Sequence, residues 1–157
     1  MYFFTADEHY GHRNIIQYCN RPFRGLFEMD NELIKRHNEV VSKNDIVVHI
    51  GDFTLAKEEI AKRYILELNG NHIFLKGSHD RWLSNGRYVW MKKIGGEYVV
   101  ACHYAMRVWP KSHYGSVQLH GHSHGKLSFQ KNQWDVGVDN NQFYPVSFDQ
   151  IKETLDI

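Results

Sequence analysis

Asp45-Ile46-Val47-Val48-His49-Ile50-Gly51-Asp52 is the stretch from which the fold can be read. A short run of β-branched and apolar residues, bounded by polar ones, predicts a buried strand. Gly51 lets the chain turn and come close to whatever Asp52 binds. A carboxylate at the C-terminal end of a central strand lies where open α/β sheets place their ligands. Its two oxygens let it touch two metal ions at once. The ends of the other strands are then where further ligands should be sought.

Upstream, Tyr2 to Ala6 is a second compact apolar run, and it stops at Asp7-Glu8-His9. In an extended segment, residues i and i+2 point to one side, so Asp7 and His9 can meet a single ion. His12 and Arg13 follow as polar groups near the same strand end. His12 is read as a substrate contact, with a solvated loop residue as the alternative. A short helix is expected through residues 14–19. With Asp30 as N-cap, the spacing of Leu33, Ile34, His37, Val40 and Val41 predicts a helix over 31–42. Beyond Asp52, Ile60, Ala61, Tyr64, Ile65 and Leu68 predict another, stopped at Asn69-Gly70. Strand, helix and strand at this spacing imply a parallel pair with a crossover.

His72 to Lys76 reads as the next strand and ends in Gly77-Ser78-His79-Asp80, with a short helix expected from Arg81. Segments 88–94 and 97–102 flank Gly95-Gly96 as a hairpin, and the second runs into His103. The loop over 105–115 carries Arg107 and is long enough to suggest function rather than mere connection. Ser116 to His120 ends in Gly121-His122-Ser123-His124, whose alternation predicts two imidazoles on one side. A late strand is expected over 134–138. Ser147 and Gln150 have capping-box spacing and open a final helix through Leu155.

The totals bound the answer. With 157 residues, 42% hydrophobic and 24% charged, the chain reads as one ordinary globular domain, residues 1–157. A net charge of +1 gives no sign of a large overall electrostatic grip on nucleic acid, with a local patch left open. Cys19 and Cys102 read as reduced thiols of a cytoplasmic protein. No signal peptide or bilayer-spanning run is seen, so no membrane partner is expected.

Asp and His without thiolate suit hard or borderline divalent ions. The ordered blocks Asp7-Glu8-His9, Gly51-Asp52, Gly77-Ser78-His79-Asp80, His103 and Gly121-His122-Ser123-His124 resemble the signature of the calcineurin-like metallophosphoesterases. The resemblance implies an α/β fold, a four-layer αββα sandwich of two mixed β-sheets flanked by helices. It implies two divalent ions, Mn first among Mn, Fe, Zn, Ni and Co. Asp7, His9, Asp52 and His124 would hold one ion, and Asp52, Ser78, His103 and His122 the other. It further implies in-line attack by a metal-bridging hydroxide, with His79 protonating the leaving oxygen and Asp80 orienting its ring. Arg107 is read as a phosphate clamp, with a solvated loop arginine as the alternative.

One block departs from the pattern. The family has asparagine where this chain has Ser78, and a shorter side chain with a single hydroxyl predicts a weaker second metal site. The sequence therefore points to a phosphoesterase for phosphodiesters, since little chain remains for a cap, with monoesters also open. The substrate would be a phosphate ester, with a nucleotide or nucleic-acid end among the candidates. A nuclease or cyclic-nucleotide phosphodiesterase, or a non-catalytic scaffold on this fold, are the alternatives.

Overall fold

The computed structural model describes residues 1–157. The stretch 46–50 is a strand, β2 (Ile46–Ile50), at the centre of a four-stranded sheet. It pairs in parallel with β1 (Tyr2–Thr5) on one side and β3 (Asn71–Leu75) on the other. The short β8 (Val146–Ser147) adds antiparallel to β1. Two helices cover the outer face, α2 (Leu26–Val40) and α3 (Glu58–Glu67), the latter inside the β2–β3 crossover. A shorter one, α1 (Arg13–Tyr18), joins them.

The second sheet contains the hairpin β4 (Val89–Ile94) and β5 (Glu97–Cys102), then β6 (Val117–His120) and β7 (Gln133–Asp135) in parallel. The two mixed sheets face each other across one apolar layer. Phe4, Val48, Ile50 and Leu75 of the first sheet meet Trp90, Val99, Ala101, Val117 and Leu119 of the second. The last helix, α4 (Phe148–Leu155), adds Phe148, Ile151 and Leu155 to this layer. The helices are therefore shared unevenly. On the outer face of the second sheet lies the loop after β5, where buried Gln118 bonds to Met106 and Tyr104 and the Lys111 ammonium sits 3.5 Å from the centre of the Tyr98 ring. The 105–115 loop thus serves as a cover. No helix is long and apolar enough to cross a membrane, and both cysteines are free thiols.

Three local expectations are corrected. The helix expected over 31–42 begins at Leu26, because the apolar stripe of Leu33 and His37 extends back to Met29. Asp30 does not cap it; the Asp30 carboxylate accepts from Gly11 N–H and Tyr64 O–H instead. Residues after Asp80 form turns, not a helix, because the Trp82 indole donates back to Asp80. The late strand stops at Asp135, whose carboxylate accepts from Gly137 N–H and bends the chain. Gly137 then pairs with Ala6, joining the two sheets just above the ends of β1 and β7.

At the other end of the sequence, Ser147 and Gln150 form a reciprocal capping box. Replacing Ser147 by alanine should lower the unfolding free energy by about 1 kcal/mol. Denaturant unfolding checks this, and an unchanged midpoint would show that the cap contributes nothing.

Candidate metal centre

All five sequence blocks lie just beyond the C-terminal ends of β1, β2, β3, β5 and β6. The backbone there is not extended. Asp7, His9, Asp52, His122 and His124 all have positive φ, between 48° and 66°. Non-glycine residues enter this region at a cost and persist there where the surroundings hold them, which is common at functional sites. Asp7 and His9 do come together, though not by strand alternation, whereas His122 and His124 do not share one group. Each strand has already ended, and left-handed residues aim the side chains. Glycines admit the close approach. Gly51 has φ +90°, and a Cβ there would stand 2.5 Å from the His103 ring. A Cβ on Gly77 would collide with the Asp52 carboxylate and N–H.

The side chains fall into two groups. Asp7, His9 and His124 bring potential ligand atoms within 4.8 Å of one another, and Asp52, His103 and His122 do the same. His122 and His124 thus go to different groups, although only Ser123 separates them. Asp52 links the two: its Oδ2 lies 3.3 Å from His103 Nε2 and 3.6 Å from His9 Nε2. Ser78 does not point its hydroxyl into the space between them as a free oxygen. Its Oγ donates to Asp52, at 3.1 Å from Oδ2.

The donor set fits divalent cations on a specific observation. His103 donates through Nδ1 to the Ile50 carbonyl at 2.8 Å. A neutral ring then turns a bare Nε2 lone pair toward a carboxylate. The Nε2 atoms of both His9 and His103 are buried without a hydrogen-bond partner. Buried acceptors facing acceptors are costly unless positive charge lies between them. Burial and neighbouring charges also shift the titration of these groups. Burial pushes Asp7 up to about 7 and His9 down to about 3. Burial also acts to raise Asp52, but His103, the His79 N–H and His9 outweigh it and hold Asp52 below the carboxylate range. His103 itself is raised, burial being outweighed by Asp52 and Asp7.

Around this centre the structure places groups that sequence reasoning missed. Arg21 is buried and forks onto Asp139, through Nε to Oδ1 at 2.8 Å and Nη2 to Oδ2 at 2.9 Å. Its guanidinium also donates to the carbonyls of Asp7 and Glu8. Asp139 Oδ2 in turn accepts from His124 Nδ1 at 2.6 Å, which leaves Nε2 for a ligand. Such carboxylate–histidine contacts fix ring orientation and raise ligand basicity. Cys19 also comes near His124 and Asp139, but both Asp139 oxygens are already held. The only local signal for Asp139 and Arg21 was their charge in otherwise polar loops.

Asp80 is corrected. Its carboxylate does not bond the His79 ring. It accepts from the backbone N–H of Asp52 (2.6 Å), Phe53 (2.9 Å) and Gly77 (2.8 Å), and from the Trp82 indole (3.1 Å). With its lone pairs committed there, it is a structural anchor that fixes the end of β2 against the end of β3.

A cleft of roughly 270 Å³ opens onto the centre, lined by His9, His12, Tyr18, His79, His124 and Lys126 among others. His79 is half-exposed at its mouth, with Nε2 3.9 Å from Asp52 Oδ2, and its backbone N–H donates to Asp52. His12 contacts His9 through their Nδ1 atoms at 3.2 Å. Arg107 is not brought here; it is exposed on the cover of the second sheet, and the cation on the cleft wall is Lys126.

Fold and site together define a two-sheet α/β protein with a histidine–aspartate centre at the C-terminal rim of both sheets. No family model matches the chain. It belongs to the family of the uncharacterized protein MJ1445 of Methanocaldococcus jannaschii, being 32% identical over 163 residues that cover 98% of this chain and 90% of the archaeal one. Its fold is shared with AQ665, a protein of unknown function from Aquifex aeolicus, at a TM-score of 0.75 and 19% identity over 98% of both chains. A conserved uncharacterized protein from Streptococcus pneumoniae, described as a predicted phosphoesterase, is similar at a TM-score of 0.47 and 14% identity, covering 87% of this chain and 70% of that one. That last likeness is too distant to carry an argument about function.

Two substitutions test this anatomy. Asp139→Asn should weaken metal binding by roughly 10–100-fold while the protein stays folded; a competition titration with a chromogenic chelator reads this, and unchanged affinity would remove Asp139 from the site. Asp80→Ala should cost about 2–4 kcal/mol of stability, since several buried N–H groups lose their acceptor. Unfolding by denaturant at fixed metal concentration measures it, and a loss below about 1 kcal/mol would contradict the anchoring role.

Proposed function

We propose that the chain is a dimetal phosphoesterase acting on phosphodiesters, with monoesters as secondary substrates. The observation that carries this is the pair of His/Asp groups joined at Asp52, each with a buried and partnerless imidazole nitrogen, opening onto a cleft with His79 at its mouth. Asp7, His9 and His124 would hold one ion, and Asp52, His103 and His122 the other. Bound divalent ions, Mn foremost, would supply charge neutralisation and an acidified water for in-line displacement.

The remaining work belongs to the chain. His79 is the general acid that protonates the leaving oxygen. It is a partly exposed imidazole at the cleft mouth, outside both ligand groups, and its backbone N–H on Asp52 holds it there. Imidazole is the side chain most often used as a general acid. Lys126 offers positive charge to the anionic ester and His12 lines the approach. The open cleft, with Ile15 and Tyr18 on its wall, leaves room for the second ester group of a diester. Among diesters, a nucleotide or nucleic-acid end suits that wall, since an exposed tyrosine is a stacking surface. Two free thiols favour a reducing, cytoplasmic setting.

Ser78 makes the second group the weaker one, because its hydroxyl is turned onto Asp52 and adds no independent ligand. Mn-dependent hydrolysis of an aryl phosphodiester and its monoester, in parallel on this chain and on Ser78→Asn, tests the whole reading. Diester cleavage should exceed monoester cleavage and rise roughly tenfold or more with asparagine, about 1.4 kcal/mol in transition-state stabilisation. If neither protein turns over although Mn is bound, the chain is a metal-binding scaffold rather than an enzyme.

A further inference from the structure

Ser78 leaves the second group short of a hydrogen-bond donor, and the residue that stands next to it is Tyr104. The Ser78 hydroxyl hydrogen is directed to Asp52, with Oδ2 at 3.1 Å and Oδ1 at 3.3 Å, so it is not free for a bound anion. The Tyr104 ring packs edge-on against two potential metal ligands, His103 at 5.0 Å and 79° and His122 at 4.9 Å and 61°. These contacts fix the ring over the Asp52/His103/His122 group. The phenol is 41% exposed, and its hydroxyl lies beside Ser78. The Tyr104 backbone is held separately, its carbonyl accepting from the Gln118 amide. On the protein the phenol meets the Ser78 hydroxyl, and a phosphoryl oxygen would take the place of the Ser78 oxygen as acceptor of its hydrogen.

We propose that Tyr104 is a substrate-binding residue whose hydroxyl donates to a non-bridging oxygen of a phosphoryl group held at the second cluster. This rests on the phosphoesterase reading and adds to it the donor that Ser78 does not supply. A phenol suits the task. It is a neutral donor on a side chain with few torsions, and ring packing removes most of the freedom it has. Arg107, the loop cation three residues after Tyr104, is exposed and does not line the cleft, so the phosphoryl contact from this loop falls to Tyr104. If the tyrosine only shielded the histidines from water, its ring would matter and its hydroxyl would not.

The isosteric Tyr104→Phe separates these roles. The probe is inorganic phosphate, titrated calorimetrically into Mn-loaded protein, with Mn stoichiometry and thermal midpoint measured on the same samples. Tyr104→Phe should weaken phosphate binding roughly tenfold, about 1.4 kcal/mol, with Mn content and midpoint unchanged. In a Ser78→Asn background, where the amide supplies a donor, the same change should cost less than about threefold, giving a measurable coupling between the two positions. Phosphate binding within about twofold of the parent would overturn the proposal and leave the phosphoesterase reading standing. Loss of Mn from Tyr104→Phe would also overturn it, since the residue would then act on the metal site. A parent protein that is loaded with Mn yet neither binds phosphate nor cleaves a diester would remove both readings together.

Discussion

The Asp80 carboxylate holds the rest of the site in register. It gathers N–H groups from the ends of two neighbouring strands, at Asp52 and Phe53 after β2 and at Gly77 after β3. A buried carboxylate is expensive to bring into a protein unless its lone pairs are satisfied, and here several donors meet it at once. Apart from the Trp82 indole the donors are backbone, so the anchor chiefly fixes main-chain geometry. That is what lets Asp52 persist at positive φ. The His79 N–H on Asp52 Oδ1 completes the lock between the two strand ends. Gly77 is required because any Cβ there would occupy the space of the Asp52 carboxylate.

Each ligand group draws on both sheets, and their convergence depends on how the sheets are joined. Ala6 of the first sheet pairs with Gly137 of the second, and the His122 N–H donates to Asp7 across the same gap. The inter-sheet core sets the spacing between β1–β3 and β5–β6 beneath these links. Arg21 adds a third tie, bonding the carbonyls of Asp7 and Glu8 while forking onto Asp139 from the other side of the molecule. Positive charge on Arg21 stands behind His124 without reaching the space between the ligands. The electrostatic demand of Asp7 and Asp52 is therefore not met by the protein's own cations, and two partnerless imidazole nitrogens mark where it falls.

Much of this was legible in the chain because the informative residues are local. A β-branched run ending in Gly51-Asp52, the Gly95-Gly96 hairpin and the Ser147–Gln150 cap each carry their geometry within a few residues. The five blocks were legible as blocks for the same reason. Their aiming was not. Alternation along a strand puts His122 and His124 on one side; only the family resemblance gives them to different ions, and left-handed backbone is what sends them to separate groups. The family resemblance has Asp80 orient the His79 ring, but its partners lie across the gap between strands. Arg21 and Asp139 are separated by more than a hundred residues, and nothing in either neighbourhood announces that they meet. Helix α2 began early because Met29 belongs to the buried stripe, while Asp30, a good cap by type, was needed as a tertiary acceptor.

The back of the centre shows why the residue between two ligands can itself be acidic. Glu8 is buried and turns away from Asp7 and His9 toward His49, whose Nε2 meets His72 Nδ1 at 3.0 Å. His72 Nε2 ends the chain at the Leu68 carbonyl, which can only accept. Working back from that carbonyl, His72 carries its hydrogen on Nε2 and accepts at Nδ1, so neutral His49 donates from Nε2 and accepts at Nδ1. The remaining donor must then be Glu8, as a neutral carboxylic acid. Burial points the same way, pushing Glu8 up to about 8 and His49 down to about 3. A neutral Glu8 keeps a third negative charge away from Asp7 and Asp52. The charge the centre presents is thus set by two carboxylates, which histidine ligands and divalent ions can balance. Buried His49 and half-buried His72, which sequence alone does not connect with the site, are what hold that acid neutral.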